Sequence, residues 1–336
     1  MASQLQSLSL PKPWRKTPLI HSTILSKHAG CQIYLKLETL QPSGSFKSRG
    51  IGNYLIQSLN SLSDPADREK LHFYIASGGS AGLACACAAS MLGVSASIVV
   101  PTSASQYMID KIKAAGGTVE QIGASWVEAD THVRNVIIPT AKERGEIATY
   151  VPAFDHQDIW DGHASLVPEV LEELEGAPDA IVCSVGGGGL MSGIVLGLDR
   201  AEASPKVLAV ETEGAASLAL SLKEGKLATL PAITSIANTL GARTVARQAF
   251  VYAGRENVKS VVLTDRDAME GCVRFADDER IMVEAACGVT MAMCYGGRLK
   301  GALPDLREDS KVVIVVCGGC NITADMLTQY SMQLNQ

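Results

Sequence analysis

Aromatic residues are scarce in this 336-residue chain, at 5%, and charged residues make up only 19%. Low charge beside 47% hydrophobic residues argues against a disordered chain and allows a substantial core. Basic residues are not in excess either. The 29 Lys and Arg against 35 Asp and Glu leave a net charge of −6, so no broad footprint for nucleic acid exists, only room for a local basic patch. No apolar run approaches the ~20 residues that a membrane span needs. Nine cysteines is an odd number, and several sit in apolar runs such as AGLACACAAS and DAIVCSVG, where Cys acts as a small hydrophobe. That usage suits a reducing compartment better than a secreted disulfide scaffold. The first acidic residue is Glu38, and Lys12, Arg15, Lys16, Lys27 and Lys36 precede it, which is faintly like a transit peptide. PWRKTPLIHS runs directly into a strand-like segment, however, so a folded cytosolic protein is expected.

What is plentiful is glycine, at 31 residues. Gly-rich turns between Val/Ile-rich strands and Ala-rich helices are the makings of a parallel α/β fold. The length allows two ordinary domains, or one large domain with a smaller one inserted. QIYLKL (32–37), HFYIAS (72–77), SASIVV, TVEQIG and ATYVPA read as strands. Between them lie helical patterns over IGNYLIQSL, an Ala/Cys/Leu-rich stretch to Gly93, SQYMIDKIKAAG and WVEADTHVRNVIIPTAKERG. A second series begins near Asp155 with a helix around HASLVPEVLEEL, followed by AIVCSVGGGGLMSGIVLGL, VLAVET and SVVLT (260–264). Helices are expected over roughly 266–278 and 283–298 before KVVIVVCGGCNITADML. Strand, Gly-bearing turn, helix, strand is the pattern of right-handed βαβ units. Each half has its own junctions of this kind, which predicts two α/β lobes with a cleft between them. Ligands of such sheets bind at the carboxyl ends of strands, where the unusual residues fall.

Four consecutive glycines, Gly186 to Gly189, separate an apolar strand from an apolar helix. They permit close backbone approach, and the helix-start amides form an anion cradle. No Lys-Ser/Thr follows, so this is not a Walker A loop, and no acidic residue is placed to read a ribose. A tightly packed turn is the bland alternative. In SGSFKSRG, Lys47 stands at a helix entrance with Arg49 nearby. That cationic setting would lower an amine's pKa, as a Schiff-base lysine requires, though a lone lysine is more often a solvated surface charge. ASGGSAG (76–82) and CGGCN (317–321) are two more loops at strand ends. The CxxC of Cys317 and Cys320 has no second CxxC or HxxxH to complete a zinc site, and the surrounding pattern is not thioredoxin-like.

A phosphate cradle, a poised lysine and several Gly loops together suggest pyridoxal phosphate. LETLQPSGSFKSRGIGN, SGGSAGLACACAA, FDHQDIWDGHASL, SVGGGGLMSG, VETEGAASL, ITSIANTLGARTV, DDERIMVEAACG and VVCGGCNI occur in that order from Thr17 to Asn321. In these motifs the sequence resembles the serine/threonine dehydratases, pyridoxal-phosphate enzymes of the tryptophan-synthase-β-like fold. The resemblance implies a two-lobed α/β architecture with two parallel-rich sheets, flanking helices and the cofactor in the interlobe cleft. Residues 1–40 and 153–336 would form a large cofactor-binding domain, and 41–152 a small substrate-side domain. Lys47 would carry the cofactor as a Schiff base and then act as general base. Gly186, Gly187, Gly188 and Gly189 would hold its phosphate, with Leu190 starting the helix. Phe46 would pack on the ring, and Cys317 would face the pyridine nitrogen. A thiol there leaves that nitrogen neutral, a weaker electron sink that favours prompt loss of a β-hydroxyl. Ser77, Gly78 and Ala81 would grip the substrate carboxylate, and Glu211 with Thr212 to Ala215 resembles a monovalent-cation (K+) site. The implied reaction converts L-serine to pyruvate, or L-threonine to 2-oxobutyrate, with release of ammonia, in a homodimer.

Two positions test that resemblance. Ser80 stands where the family has an Asn that bonds the cofactor 3′-oxygen, and a shorter hydroxyl raises the prospect of another substrate or reaction. A β-replacing synthase, an enzyme for a modified hydroxy-amino acid, and a non-catalytic amino-acid-binding relative all stay open on this account. Gly78 stands where racemases of the fold place a serine hydroxyl, so it supplies no acid to the opposite face and argues for elimination. After Asn321 about one helix remains, which matches the short catabolic type.

Overall fold

The computed structural model describes residues 10–336; the first nine residues of the acid-free N-terminal stretch, and that part of the transit-peptide comparison, lie outside the described residues. Strands are numbered in chain order: β1 (Leu19–Ser22), β2 (Gln32–Lys36), β3 (Leu71–Ala76), β4 (Ser95–Val100), β5 (Thr118–Gln121), β6 (Ile147–Tyr150), β7 (Ala180–Ser184), β8 (Lys206–Thr212), β9 (Val258–Leu263) and β10 (Lys311–Val315). They form two sheets, of order β1-β2-β10-β7-β8-β9 and β5-β4-β3-β6. Every pairing is parallel except β1 with β2. The expected fold class is therefore the one observed.

Burial explains the strand sequences. AIVCS of β7 and VVIV of β10 are buried on both faces, as central parallel strands covered by helices must be. In the smaller sheet the period is two. Phe73 and Ile75 face a core shared with Ile51, Leu55 and the Ser80–Leu92 helix, while Tyr74 and Ala76 face Ala129, Val133 and Ala141. Parallel strands deliver their carboxyl ends to one side. β10 leads into CGGCN, its neighbour β7 into the four glycines, and β3 into SGGS.

Two expected helices are interrupted. The 126–145 pattern contains a π-helical turn at Val133–Ile137, because Pro139 lacks an amide hydrogen and its ring clashes with the carbonyl four residues earlier. The 283–298 pattern stops at Ala292 and resumes at Arg298–Ala302, since Gly296 and Gly297 both take left-handed conformations, with φ of 63° and 72°.

The helix Lys47–Asn60 is fixed to the larger sheet by a buried ionic cluster. Arg49, Glu38 and Lys36 are all 0% exposed. Arg49 donates through Nε and Nη2 to the two oxygens of Glu38, both at 2.8 Å, and through Nη1 and Nη2 to those of Glu169, both at 2.7 Å. Lys36 Nζ pairs with Glu169 at 2.8 Å and donates to the Thr17 carbonyl at 2.6 Å. Burial pushes the Glu169 carboxyl up, but the bonds from Arg49 and Lys36 hold it below the ordinary value. Removing one partner strands a buried charge. Arg49→Met is expected to cost about 3–5 kcal/mol of stability in chemical denaturation, and a loss below ~1 kcal/mol would show that the cluster does not anchor the helix.

Candidate active site

Lys47 opens its helix at the end of the Pro-Ser-Gly-Ser turn, and its Nζ donates to the Ala153 carbonyl at 2.6 Å. The residue keeps some exposure, but its amine lies deep in the cleft. Burial pulls its pKa down to about 8. The turn is pinned by the Phe46 amide on the Cys317 carbonyl (3.0 Å), the Gly319 amide on the Gly44 carbonyl (3.2 Å), and a β-bridge between Ser45 and Gly318. Sequence segments some 270 residues apart are thus joined beside the lysine, flanking the thiol of Cys317.

Cys317 is 3% exposed, with Sγ 3.3 Å from the hydroxyl of Ser184 at the end of β7. Hydrogen bonding with the Cys287 thiol, together with burial, pushes Cys317 well above the ordinary cysteine value, so it is a thiol at neutral pH. Cys320 turns elsewhere and lies 3.3 Å from the Ser80 hydroxyl. All nine cysteines are free, and no group of three or more His, Cys, Asp or Glu is arranged for a metal among the described residues. The CxxC is therefore two separately engaged thiols.

The glycine loop approaches its neighbours closely. A Cβ at Gly187 would fall 2.3 Å from the Phe154 ring, and one at Gly188 2.3 Å from Ala249 Cβ. Gly188 has a φ of 85° and precedes the helix Gly189–Arg200, whose first amides have no intrahelical acceptor. That is a backbone cradle which side chains would fill, and it fits a phosphate monoester. Across the cleft, the Ser77 hydroxyl accepts from the Gly79 amide at 3.4 Å, and Ala81 is buried. A Cβ at Gly78 would meet Ala104 Cβ at 3.2 Å, so the site is tight there.

Glu211 ends up doing a local job. It is fully buried, and its two oxygens accept the Leu218 and Ala219 amides at 2.8 Å, capping the helix Ser217–Glu224. Burial nonetheless pushes its pKa up to about 7. Two buried groups near the site had no part in the sequence reading. Glu284 accepts from the Thr239 hydroxyl and the Asn321 amide, both at 3.2 Å, and burial raises its pKa. His163 stacks obliquely on Phe46, with ring centroids 4.9 Å apart. Both lie inside quoted motifs, VEAACG and DGHASL, but nothing in those letters announces a role.

Comparison with known proteins decides the family. The profile described as "Pyridoxal-phosphate dependent enzyme" matches residues 10–318. An L-serine dehydratase of Saccharomyces cerevisiae is 40% identical over 332 residues, covering 96% of this chain and 98% of the yeast protein. The chain belongs to the pyridoxal-phosphate-dependent serine/threonine dehydratase family. An L-serine dehydratase/L-threonine deaminase of Mus musculus is 41% identical and 95% covered on both sides. The structure of a fungal L-serine ammonia-lyase from Rhizomucor miehei superposes with a TM-score of 0.88 at 32% identity, covering 96% of this chain and 100% of the fungal one.

A pyridoxal-phosphate enzyme needs an amine that forms an imine, an anion cradle and a neutral or acidic group for the ring nitrogen. The residues present fit all three. Without cofactor, the buried Lys47 is a burden on the fold. A base whose pKa falls from 10.5 to about 8 on folding destabilises the native state fully below pH 8, and the penalty disappears as pH rises to 10.5. Cofactor-free Lys47→Met is therefore expected to be about 2–3 kcal/mol more stable than the parent at pH 7, and the gap should close toward pH 10.5. Urea melts at several pH values check this; a gap that does not change with pH contradicts it.

Proposed function

We propose that this enzyme dehydrates and deaminates L-serine and L-threonine, giving pyruvate or 2-oxobutyrate plus ammonia. The observation that carries the reading is the Lys47 amine, held with a pKa of about 8 beside a neutral Cys317 thiol and a glycine cradle. The names of the yeast, mouse and fungal relatives agree with it. Bound pyridoxal phosphate supplies the carbonyl carbon for an imine and a ring that takes up electrons from the substrate α-carbon.

The chain's residues have separate tasks in this reading. Gly186, Gly187, Gly188 and Gly189 with the Leu190 amide bind the phosphate. Phe46 covers one face of the ring, and Cys317 offers a thiol to its nitrogen. Ser77, Gly78 and Ala81 orient the substrate carboxylate at the start of the Ser80–Leu92 helix. Lys47 Nζ takes the α-proton, the β-hydroxyl departs with a proton as water, and hydrolysis of the released imine then consumes one water and frees ammonia. Gly78 presents no hydroxyl to return a proton on the other face, which disfavours racemisation.

Ser80 favours a second reading, an enzyme of the same fold acting on a modified hydroxy-amino acid or replacing a β-substituent. Its hydroxyl is engaged with Cys320 rather than turned freely into the cleft. A K+ ion near Glu211 is also part of the proposal, since each carboxylate oxygen keeps a lone pair beyond its amide bond. We infer a cytosolic homodimer divided as 1–40 with 153–336 and 41–152. The free cysteines support the reducing compartment, and the small-sheet core within residues 51–159 and 320 supports the division. No helix among the described residues is long and apolar enough to cross a membrane.

Cofactor-loaded protein is expected to form 2-oxo acid from L-serine or L-threonine, with a loss on the order of 10³-fold in Lys47→Ala. A coupled reductase assay reads both products. Cofactor spectra that respond to amino acid without oxo-acid release would favour the second reading.

A further inference from the structure

The 3₁₀ turn Asn238–Leu240 stands between the two loops on which the proposed reaction rests. On one side, a Cβ at Gly186 in the glycine loop would stand 2.8 Å from Leu240 Cα and 3.0 Å from its carbonyl oxygen, so the two backbones are in direct contact. On the other side, a Cβ at Gly79 in the loop 77–81 would stand 3.6 Å from Thr239 Cγ2. Apart from the glycine's own chain neighbours, that methyl is the one heavy atom within 4 Å of the position among the described residues. Gly79 therefore faces open space with a single side chain reaching across it. Thr239, Ser77, Gly78, Gly79, Gly186 and Gly187 all keep partial exposure, so none is sealed in the core and a molecule in the cleft can reach them.

Thr239 is not free to turn away. Its hydroxyl donates to Glu284 Oε1 at 3.2 Å, and the other oxygen of that buried carboxylate accepts the Asn321 amide at 3.2 Å. A threonine side chain has one heavy-atom torsion, so fixing Oγ1 fixes Cγ2 as well. The bond to Glu284 thus aims the methyl at Gly79. An amino acid gripped by its carboxylate in the loop 77–81, on a cofactor whose phosphate lies at Gly186–Gly189, has to lie along the turn that joins the two. Its β-carbon then faces the Thr239 methyl. Serine carries two hydrogens beside its β-hydroxyl, whereas threonine replaces one of them with a methyl that needs space there. One methyl in such a pocket changes kcat/KM by about 10–200-fold.

We propose that Thr239 is a specificity-determining residue: its methyl, aimed by Glu284, narrows the space beside the substrate β-carbon and makes L-serine the preferred substrate over L-threonine. This rests on the dehydratase reading and on the substrate carboxylate lying in the loop 77–81.

The test compares cofactor-loaded parent, Thr239→Ser and Thr239→Val by two ratios. One is kcat/KM for L-threonine over that for L-serine, read from oxo-acid formation. The other is the affinity for L-valine over that for L-2-aminobutyrate, the unreactive isosteres of threonine and serine, read by titrating the cofactor absorbance. Thr239→Ser deletes the methyl and keeps the hydroxyl for Glu284, so both ratios are expected to rise about tenfold. Thr239→Val keeps a methyl toward Gly79 and gives up the bond to Glu284, so it is expected to keep the parental preference for the smaller member of each pair. Parental ratios in Thr239→Ser would overturn the proposal, as would a parent with no preference for the smaller members. A rise of equal size in Thr239→Val would overturn it too, since that traces the preference to the Glu284 contact and not to the methyl. No oxo acid from either amino acid, with a preference for 2-aminobutyrate that Thr239→Ser removes, would overturn the dehydratase reading and leave the steric role standing. Binding of neither isostere would overturn the placement of the substrate at the loop 77–81, and this proposal with it.

Discussion

Everything at the site depends on Arg49 being buried between two carboxylates. The residue sits two positions after Lys47 in the same helical turn, and its bonds to Glu38 and Glu169 reach the loop after β2 and the helix Leu166–Leu174. A helix that belongs by packing to the smaller sheet is thereby tied to the larger body. Lys36 and Thr17 complete the charge and hydrogen-bond balance, so the cluster satisfies each group rather than stranding one. With the helix fixed, Lys47 Nζ meets the Ala153 carbonyl, and the preceding turn locks onto the loop that follows β10, at Cys317 to Gly319.

The second property of the site is a common shift toward uncharged forms. Burial lowers the proton affinity of Lys47 and His163 and raises that of Glu284, while hydrogen bonding with the Cys287 thiol, together with burial, raises that of Cys317. A set of groups that would be charged or reactive in water is thus drawn toward uncharged forms near neutral pH. That environment suits the roles proposed for the two residues, a lysine serving as both imine former and base and a thiol leaving a ring nitrogen unprotonated.

The sequence disclosed the parts that follow from local pattern. Apolar runs leading into glycine-bearing loops announced β3, β7 and β10 together with the loops beyond them, because a parallel strand and its turn are contiguous in sequence. Lys47 and Gly186–Gly189 stand out as candidates for the same reason, each lying in or beside such a junction. What escaped depends on contacts between distant segments. Ser80 pairs with Cys320 across 240 positions, a contact that no spacing rule predicts. Glu211 reads as a loop carboxylate, but its oxygens reach forward to cap the helix that starts at Ser217. His163 resembles any core residue of an amphipathic helix until its unpaired nitrogens are seen in place. The π-helical turn before Pro139 and the break at Gly296–Gly297 show the reverse case, where signals present in the sequence were outweighed by a continuous helical pattern.

The most direct measurement of the central claim is borohydride reduction of the cofactor-loaded protein followed by peptide mass mapping. The account predicts a stable pyridoxyl adduct on the peptide containing Lys47, in near-stoichiometric amount, and on no other lysine to a comparable extent. An adduct spread over surface lysines, or concentrated on a lysine outside the cleft, would contradict it.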